Sequence, residues 1–480
     1  MRLKKRSLFG QYNMLEGNPL AVMIKFSLPL LFGNSAQLLY NTVNAIIVGN
    51  LIGSDALASV GVSTPIMNMF FTFFMTVGTG VSTVVAQFYG AKNKEQLSRS
   101  IGTSVILTLI STLAITALGI PLSGPILRLM SVDVSVFDWA HQYLLIIFAG
   151  AVGVGFFNVL SGVLRGLGNS VFPLIVLIIT SFVNIILVYL FVGIFNFGVA
   201  GAAWATVTSQ TMSAVICMIK LLKMREITSF ELKSAKLEKD MVKHILGIGV
   251  PSGITQVVLQ TTETFVIALV SRIVVLDSAG LANQTIFIAA HTIFNQVHTM
   301  SSLPNQALNL GSSTFTGQNI GAGRFDRIKK AYSSLLIASF VVATALMAAL
   351  WIWGEALLKL FIDMSAPNAA LVIEWGVKIQ RVMIWCLYGN VLINVPSGVM
   401  RGAGDTLPAM AIALFCTVLL RLPMAYIWVG TSVSKANPGG TYHGIYWSMV
   451  ICTAIAGILS VIYYATGRWK RKIIVNTPCE

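Results

Sequence analysis

Apolar runs of roughly 20 residues, separated by short polar or basic intervals, recur along the whole chain. They lie near 22–48, 61–88, 100–122, 137–163, 172–193, 198–222, 246–273, 283–316, 332–354, 372–396, 408–430 and 444–466. At ~1.5 Å per residue each run crosses a ~30 Å hydrocarbon layer as a helix. The runs lack the period-2 alternation of barrel strands, and backbone groups in lipid must be satisfied within their own segment, so the pattern predicts twelve transmembrane helices.

The pattern also repeats. The longest charged interval, "KMREITSFELKSAKLEKDMVKH" from Lys223 to His244, divides the runs six from six. "SGVLRGLGNS" (Ser161–Ser170) returns as "SGVMRGAGDT" (Ser397–Thr406), and "QFYGAK" (Gln87–Lys92) returns less closely as "QNIGAG" (Gln318–Gly323). "SLPLLFGN" around Pro29 corresponds to "GVPSGITQ" around Pro251. A unit of six helices starts and ends on one membrane side, so the two copies are parallel, related by an axis along the membrane normal. The expected fold is therefore an all-α polytopic membrane protein of two parallel six-helix repeats: an amino-terminal lobe over 1–222, a cytoplasmic linker over 223–245 and a carboxy-terminal lobe over 246–480. Two such lobes enclose a cleft near mid-bilayer.

Polar positions follow the same plan. In the first helix Asn34, Gln37, Asn41 and Asn44 share one face, and in the seventh Gln256, Gln260 and Glu263 do so. Counted from Pro29 and Pro251, Asn34 matches Gln256 and Asn41 matches Glu263. Each amide on a lipid face costs several kcal/mol, so two stripes in register point to a watery cleft; hydrogen bonds to neighbouring helices are the alternative. Both prolines are candidate bending points.

Composition and charge confirm the class and remove rivals. The 480 residues are 56% hydrophobic and 10% charged, with a mean hydropathy of +0.80, outside the range of a water-soluble domain. The formal charge of +15 would suggest nucleic acid. Its distribution says otherwise: about 25 of the 32 basic residues fall in the tails and even-numbered loops, as at Arg2–Arg6, Lys220–Lys243, Arg324–Lys330 and Arg468–Lys472. This positive-inside asymmetry predicts a multi-pass membrane protein with both termini cytoplasmic and no nucleic-acid partner. The first apolar run is too long for a signal-peptide core, so Met1–Lys25 reads as a cytoplasmic tail. Cys217, Cys386, Cys416 and Cys452 fall in helices and Cys479 in the tail, with neither metal-ligand spacing nor a disulfide pattern.

Glu263 is the one acid near the middle of any predicted helix, and an intramembrane carboxylate must pair, meet water or bind a proton. It is the candidate proton or coupling-ion site; the other reading pairs it with Arg421 in the eleventh helix. In the eighth helix His291, Asn295 and His298 share a face as a further cavity stripe. With no third strong ligand in reach, a metal site is not expected there. Asn158 and Asn394 match across the repeats, and Arg165 and Arg401, in the turns "LRGLG" and "MRGAG", read as structural, docked on helix ends or headgroups. The chain has no GxxxxGK[ST] loop, no HExxH and no nucleophile elbow, so it is not expected to be an enzyme or ATP-driven, and energy must come from an ion gradient.

"LYNTVNAIIVGNLIGSDALASVG" (Leu39–Gly61), "VVAQFYGAK" (Val84–Lys92), "FNFGVAGAAWATVTSQ" (Phe195–Gln210), "STFTGQNIGAGRFDRIKKA" (Ser313–Ala331) and the two SGV…RG segments together resemble the multidrug and toxic compound extrusion (MATE) family, in particular its bacterial DinF- and MepA-like branch. The resemblance implies outward export of amphipathic, often cationic compounds, coupled by alternating access to inward proton or sodium movement, with no other cofactor. The chain departs from that pattern where relatives carry acids: Asn44 in the first helix, Val188 after Asn184 in the fifth, and Asn295 or Gln296 in the eighth. An amide takes up no proton near neutral pH, which leaves Glu263 as the coupling residue and Asn34, Gln37, Asn41, Asn44, Gln256, Gln260, His291 and Asn295 as the expected cargo path. With one acid in the cleft, the expected cargo is uncharged or monovalent, and a monomer suffices. Two alternatives stay open: a lipid-linked precursor flippase, which needs a strongly cationic cleft, and a non-transporting receptor or scaffold with the same fold.

Overall fold

The computed structural model describes residues 12–130, 132–273, 275–276, 282–366, 368–433, 441–472 and 474. The Arg2–Arg6 tail, Cys479 and the side chain of Asn41 lie outside the described residues.

Twelve spans appear in the predicted order. The first three are unbroken: Pro19–Ile52, Ser54–Gly90 and Lys94–Leu129. The fourth is broken into Val134–Ala149 and Ala151–Gly166, bent by 51°, and its counterpart, the tenth, into Ala369–Met383 and Cys386–Ala403, bent by 47°. The fifth, Val171–Val188, ends in a π-helical turn Tyr189–Ile194, and the eleventh runs Leu407–Leu414, a π-helical Phe415–Arg421 and Leu422–Thr431. Gly198–Lys223, Lys239–Val270, Thr285–Gly321, Phe325–Lys359 and His443–Ala465 complete the set. Among the described residues, nine helices are long and apolar enough to cross a membrane, eleven with the bent pairs. The eighth span falls short because Ser, Thr, Asn and Gln crowd it.

Breaks and π turns recur at like places in the two repeats, so the irregularities belong to the design. In each repeat the second helix packs tightly on the fourth. A Cβ on Gly162 would stand 2.2 Å from the Gly78 carbonyl oxygen, and one on Gly402 2.4 Å from that of Ser313. Small residues let the backbones approach in place of a hydrophobic driving force that lipid cannot supply.

The seventh helix begins at Lys239, inside the segment read as linker, and residues 225–228 are helical too. The reason is packing: Met241, Ile245 and Ile248 are buried in one cluster with Val77 and Val81 of the amino repeat and Phe230 of the linker. The Thr103 hydroxyl fixes the approach, donating to the Lys236 carbonyl and accepting from the Glu238 amide.

At the end of the bundle where the first helix begins, a strap over residues 12–17 joins the repeats. The Tyr12 amide donates to the Gly168 carbonyl, while Arg327 donates to the carbonyls of Met14, Glu16 and Gly17 and Arg324 to that of Leu15. Met14 is fully buried beneath it. Arg327→Ala is expected to loosen the strap and raise amide exchange at Tyr12 about tenfold, corresponding to ~1.4 kcal/mol of lost charge-assisted bonding.

Candidate functional site

The π turn of the eleventh span delivers Arg421 to the seventh helix, where its Nη1 donates to Glu263 Oε1 at 2.8 Å. The pair is asymmetric. The Arg421 side chain is 7% exposed and that of Glu263 42%, so the guanidinium forms a wall and the carboxylate stays open. Arg421 Nε is buried and has no hydrogen-bond partner among the described residues. A buried arginine held by one exposed acid depends on that acid for compensation. Of the two readings of Glu263, the structure thus shows the paired one, in a form that leaves the carboxylate reachable.

Behind the pair, His291 is buried between two partners. Its Nδ1 lies 2.8 Å from the Tyr446 hydroxyl and its Nε2 2.9 Å from Asn295 Nδ2. With the amide nitrogen facing Nε2, the ring proton sits on Nδ1 and is donated to Tyr446. His298 stacks on Phe294 with centroids 5.5 Å apart. Both imidazoles lie within electrostatic reach of Glu263 and Arg421. His291, expected in a cavity stripe, faces Tyr446 of the twelfth helix instead of open space. Tyr446 carried no sequence signal beyond an aromatic in an apolar run.

The amino repeat holds a second polar group without an acid. Tyr40 reaches the Thr206 hydroxyl and Asn44, and Tyr143 reaches Thr206. Among the described residues Asn44 Oδ1 is buried without a partner, and Asn184, fully buried, has neither amide atom bonded. Val188 packs with Tyr143 in one apolar cluster. Tyr143 and Thr206 escape sequence reasoning because they meet Tyr40 from two other helices, Val134–Ala149 and Gly198–Lys223.

Between these groups runs the seam of the two repeats. Asn34 is partly buried, Gln37 and Gln256 are exposed, and Gln260 reaches across to the Thr72 hydroxyl of the second helix at 3.5 Å. Towards the strap the seam is shut by a reciprocal exchange. Gln87 Nε2 donates to the Gly402 carbonyl and Gln318 Nε2 to the Gly166 carbonyl, both at 2.8 Å. Each repeat thus bonds the SGV…RG turn of the other, with Thr83 and Ser313 meeting at 3.5 Å between them. The glutamines occur in motifs the sequence marks as repeated; their partners are invisible there, because the bonds are made to backbone.

The MatE family profile matches residues 29–190 and 251–427, one stretch in each repeat. Over 462 residues the chain is 28% identical to the probable multidrug resistance protein YoeA of Bacillus subtilis, covering 95% of both. Over 479 residues it is 26% identical to the probable multidrug resistance protein NorM of Thermotoga maritima, covering 98% of both. An outward-facing multidrug resistance MATE family transporter of the MOP superfamily superposes with a TM-score of 0.84 at 24% identity, over 96% of this chain and 98% of that one. A MOP superfamily transporter from Pyrococcus furiosus, whose binding pocket is described as of reverse polarity, superposes with 0.85 at 24% over the same shares. A profile matched over most of the chain, on a fold of two parallel six-helix repeats, makes this a multi-pass membrane transporter that belongs to the MatE family.

Proposed function

We propose that this protein exports amphipathic, uncharged or monovalent organic compounds across the bacterial plasma membrane in exchange for protons or sodium ions, with Glu263 as the coupling site. The carrying observation is the exposed carboxylate on a buried arginine. A proton, a sodium ion or a cationic cargo that engages Glu263 must compete with Arg421, and the winner decides whether the guanidinium keeps its counter-charge. Competition at one carboxylate is a minimal device for exchange. Asn34, Gln37, Gln256 and Gln260 supply amide dipoles along the seam, suited to adaptable contacts with varied cargo. The boundary between moving bodies in this proposal is the linker over 223–245, with the lobes 1–222 and 246–480 rocking about the seam.

A flippase for lipid-linked precursors needs free cations in the cleft for a phosphate-bearing headgroup. The cation of the described site is neutralised by Glu263, which favours the exporter. The test is efflux of a fluorescent monovalent cation from proteoliposomes under an imposed proton gradient and, separately, a sodium gradient. Flux driven by either gradient is expected; no flux under both would overturn the reading.

A further inference from the structure

The two repeats treat their equivalent arginines differently. In the carboxy repeat Arg401 Nη1 donates to Asn309 Oδ1 at 3.0 Å, and the same amide donates to the Asn394 carbonyl at 2.7 Å and the Ser397 hydroxyl at 2.9 Å. Arg401 is thus docked on a side chain instead of a helix end or a headgroup. In the amino repeat the residue equivalent to Asn309, counted back from the paired glutamines Gln318 and Gln87, is Gly78. Gly78 instead brings the backbone in: a Cβ there would stand 2.7 Å from the Asn158 carbonyl oxygen. The amide that would have held Arg165 is missing. Among the described residues Arg165 makes no hydrogen bond and no ion pair.

Arg165 lines a cavity with Thr79 and Ser82 of the second helix and Leu310, Ser313 and Thr314 of the eighth. Its space suits a single guest of about water size. The residues Ser82 and Thr314 are 8% and 3% exposed, and neither hydroxyl makes a hydrogen bond among the described residues. Thr79 and Ser313, in contrast, are engaged with the Met75 carbonyl and with Thr83. A guanidinium without a carboxylate, facing two buried hydroxyls that can turn to donate, favours an anion over a cation. Room for a guest of about water size favours a monatomic halide over phosphate or a carboxylic acid.

We propose that this cavity binds one chloride ion, held by Arg165, Ser82 and Thr314. Its walls come from both repeats and meet only where the seam is shut, so chloride stabilises the state closed to the cytoplasm. The site is separate from the Glu263 group and independent of cargo.

The test is thermal unfolding of the full chain in nanodiscs, titrated with sodium chloride against sodium gluconate at constant ionic strength. A saturable rise in Tm with chloride alone is expected. Half-saturation should move at least ~10-fold upward in Arg165→Gln and in the pair Ser82→Ala/Thr314→Val, since each removes donors to a charged guest. Arg401→Gln should keep the chloride response. Equal curves in the two salts would mean that water alone fills the cavity, and a response retained in both variants would mean that chloride acts elsewhere; either would overturn the proposal. If Arg165→Gln does not fold, the hydroxyl pair decides, together with bromide-soaked crystals of the unmodified protein: an anomalous peak beside Arg165 supports the site and its absence refutes it.

Discussion

In proteoliposomes, Glu263→Gln is expected to reduce gradient-driven efflux to the level of empty vesicles. Glutamine keeps the shape and an oxygen that accepts from Arg421 at the same place, but it neither binds a proton near neutral pH nor offers a charge to sodium. The substitution also leaves a buried guanidinium facing a neutral group. Breaking a fully buried pair costs ~3–5 kcal/mol; with Glu263 open to water, ~1–3 kcal/mol is the fitting range. Loss of flux alone would therefore not separate coupling from folding. The double variant Glu263→Gln/Arg421→Met makes the separation, because it removes the uncompensated cation and is expected to regain most of the Tm. If flux stays absent while stability returns, the carboxylate acts in coupling. If flux returns with stability, Glu263 serves only to hold Arg421, and the coupling site lies elsewhere.

What the sequence reveals here depends on whether an interaction is made along one helix or between several. The spans, their order and the repeat are legible because each is a one-dimensional pattern: apolar runs, and motifs such as SGV…RG that occur twice. The stripes Asn34–Asn44 and Gln256–Glu263 are legible for the same reason. Arg421 could be named as the alternative partner of Glu263, but only because it is a cation inside a predicted helix; the π turn that brings it there leaves no mark in "FCTVLLR". Tyr446 behind His291, and Tyr143 beside Tyr40, are partners from distant helices with no periodic signal. Arg165 and Arg401 are the sharpest case. Their local sequences are nearly identical, and their environments differ because of a substitution on another helix, Gly78 against Asn309. Identity of a motif fixes backbone path far better than it fixes what a long side chain meets.

A single methyl group at Gly321 is expected to hold the transporter open to the cytoplasm. In the closed seam a Cβ on Gly321 would lie 1.9 Å from the Gln87 carbonyl oxygen, and one on Gly90 would lie 2.0 Å from the Gln318 carbonyl oxygen. Both obstacles are backbone, which cannot turn aside as a side chain can. The second and eighth helices would have to separate by about 1 Å, which stretches both reciprocal amide bonds beyond hydrogen-bonding distance. Each leaves buried polar atoms unsatisfied at ~1–3 kcal/mol, so the closed state loses ~2–6 kcal/mol while a state with the seam parted loses nothing. Since ~1.4 kcal/mol is a factor of ten, that is enough to reverse the balance between two such states. Gly321→Ala and Gly90→Ala should each cut efflux at least ~10-fold. In a chain freed of its native cysteines, each should also raise labelling of Ser313→Cys by a thiol reagent applied from the cytoplasmic side. Gly162→Ala is the control, since its Cβ would meet the Gly78 carbonyl oxygen at 2.2 Å within one repeat; it should lower Tm without changing that labelling. Unchanged labelling and intact efflux in Gly321→Ala would show that the seam yields without parting, and that the paired glycines are not what confines closure to one geometry.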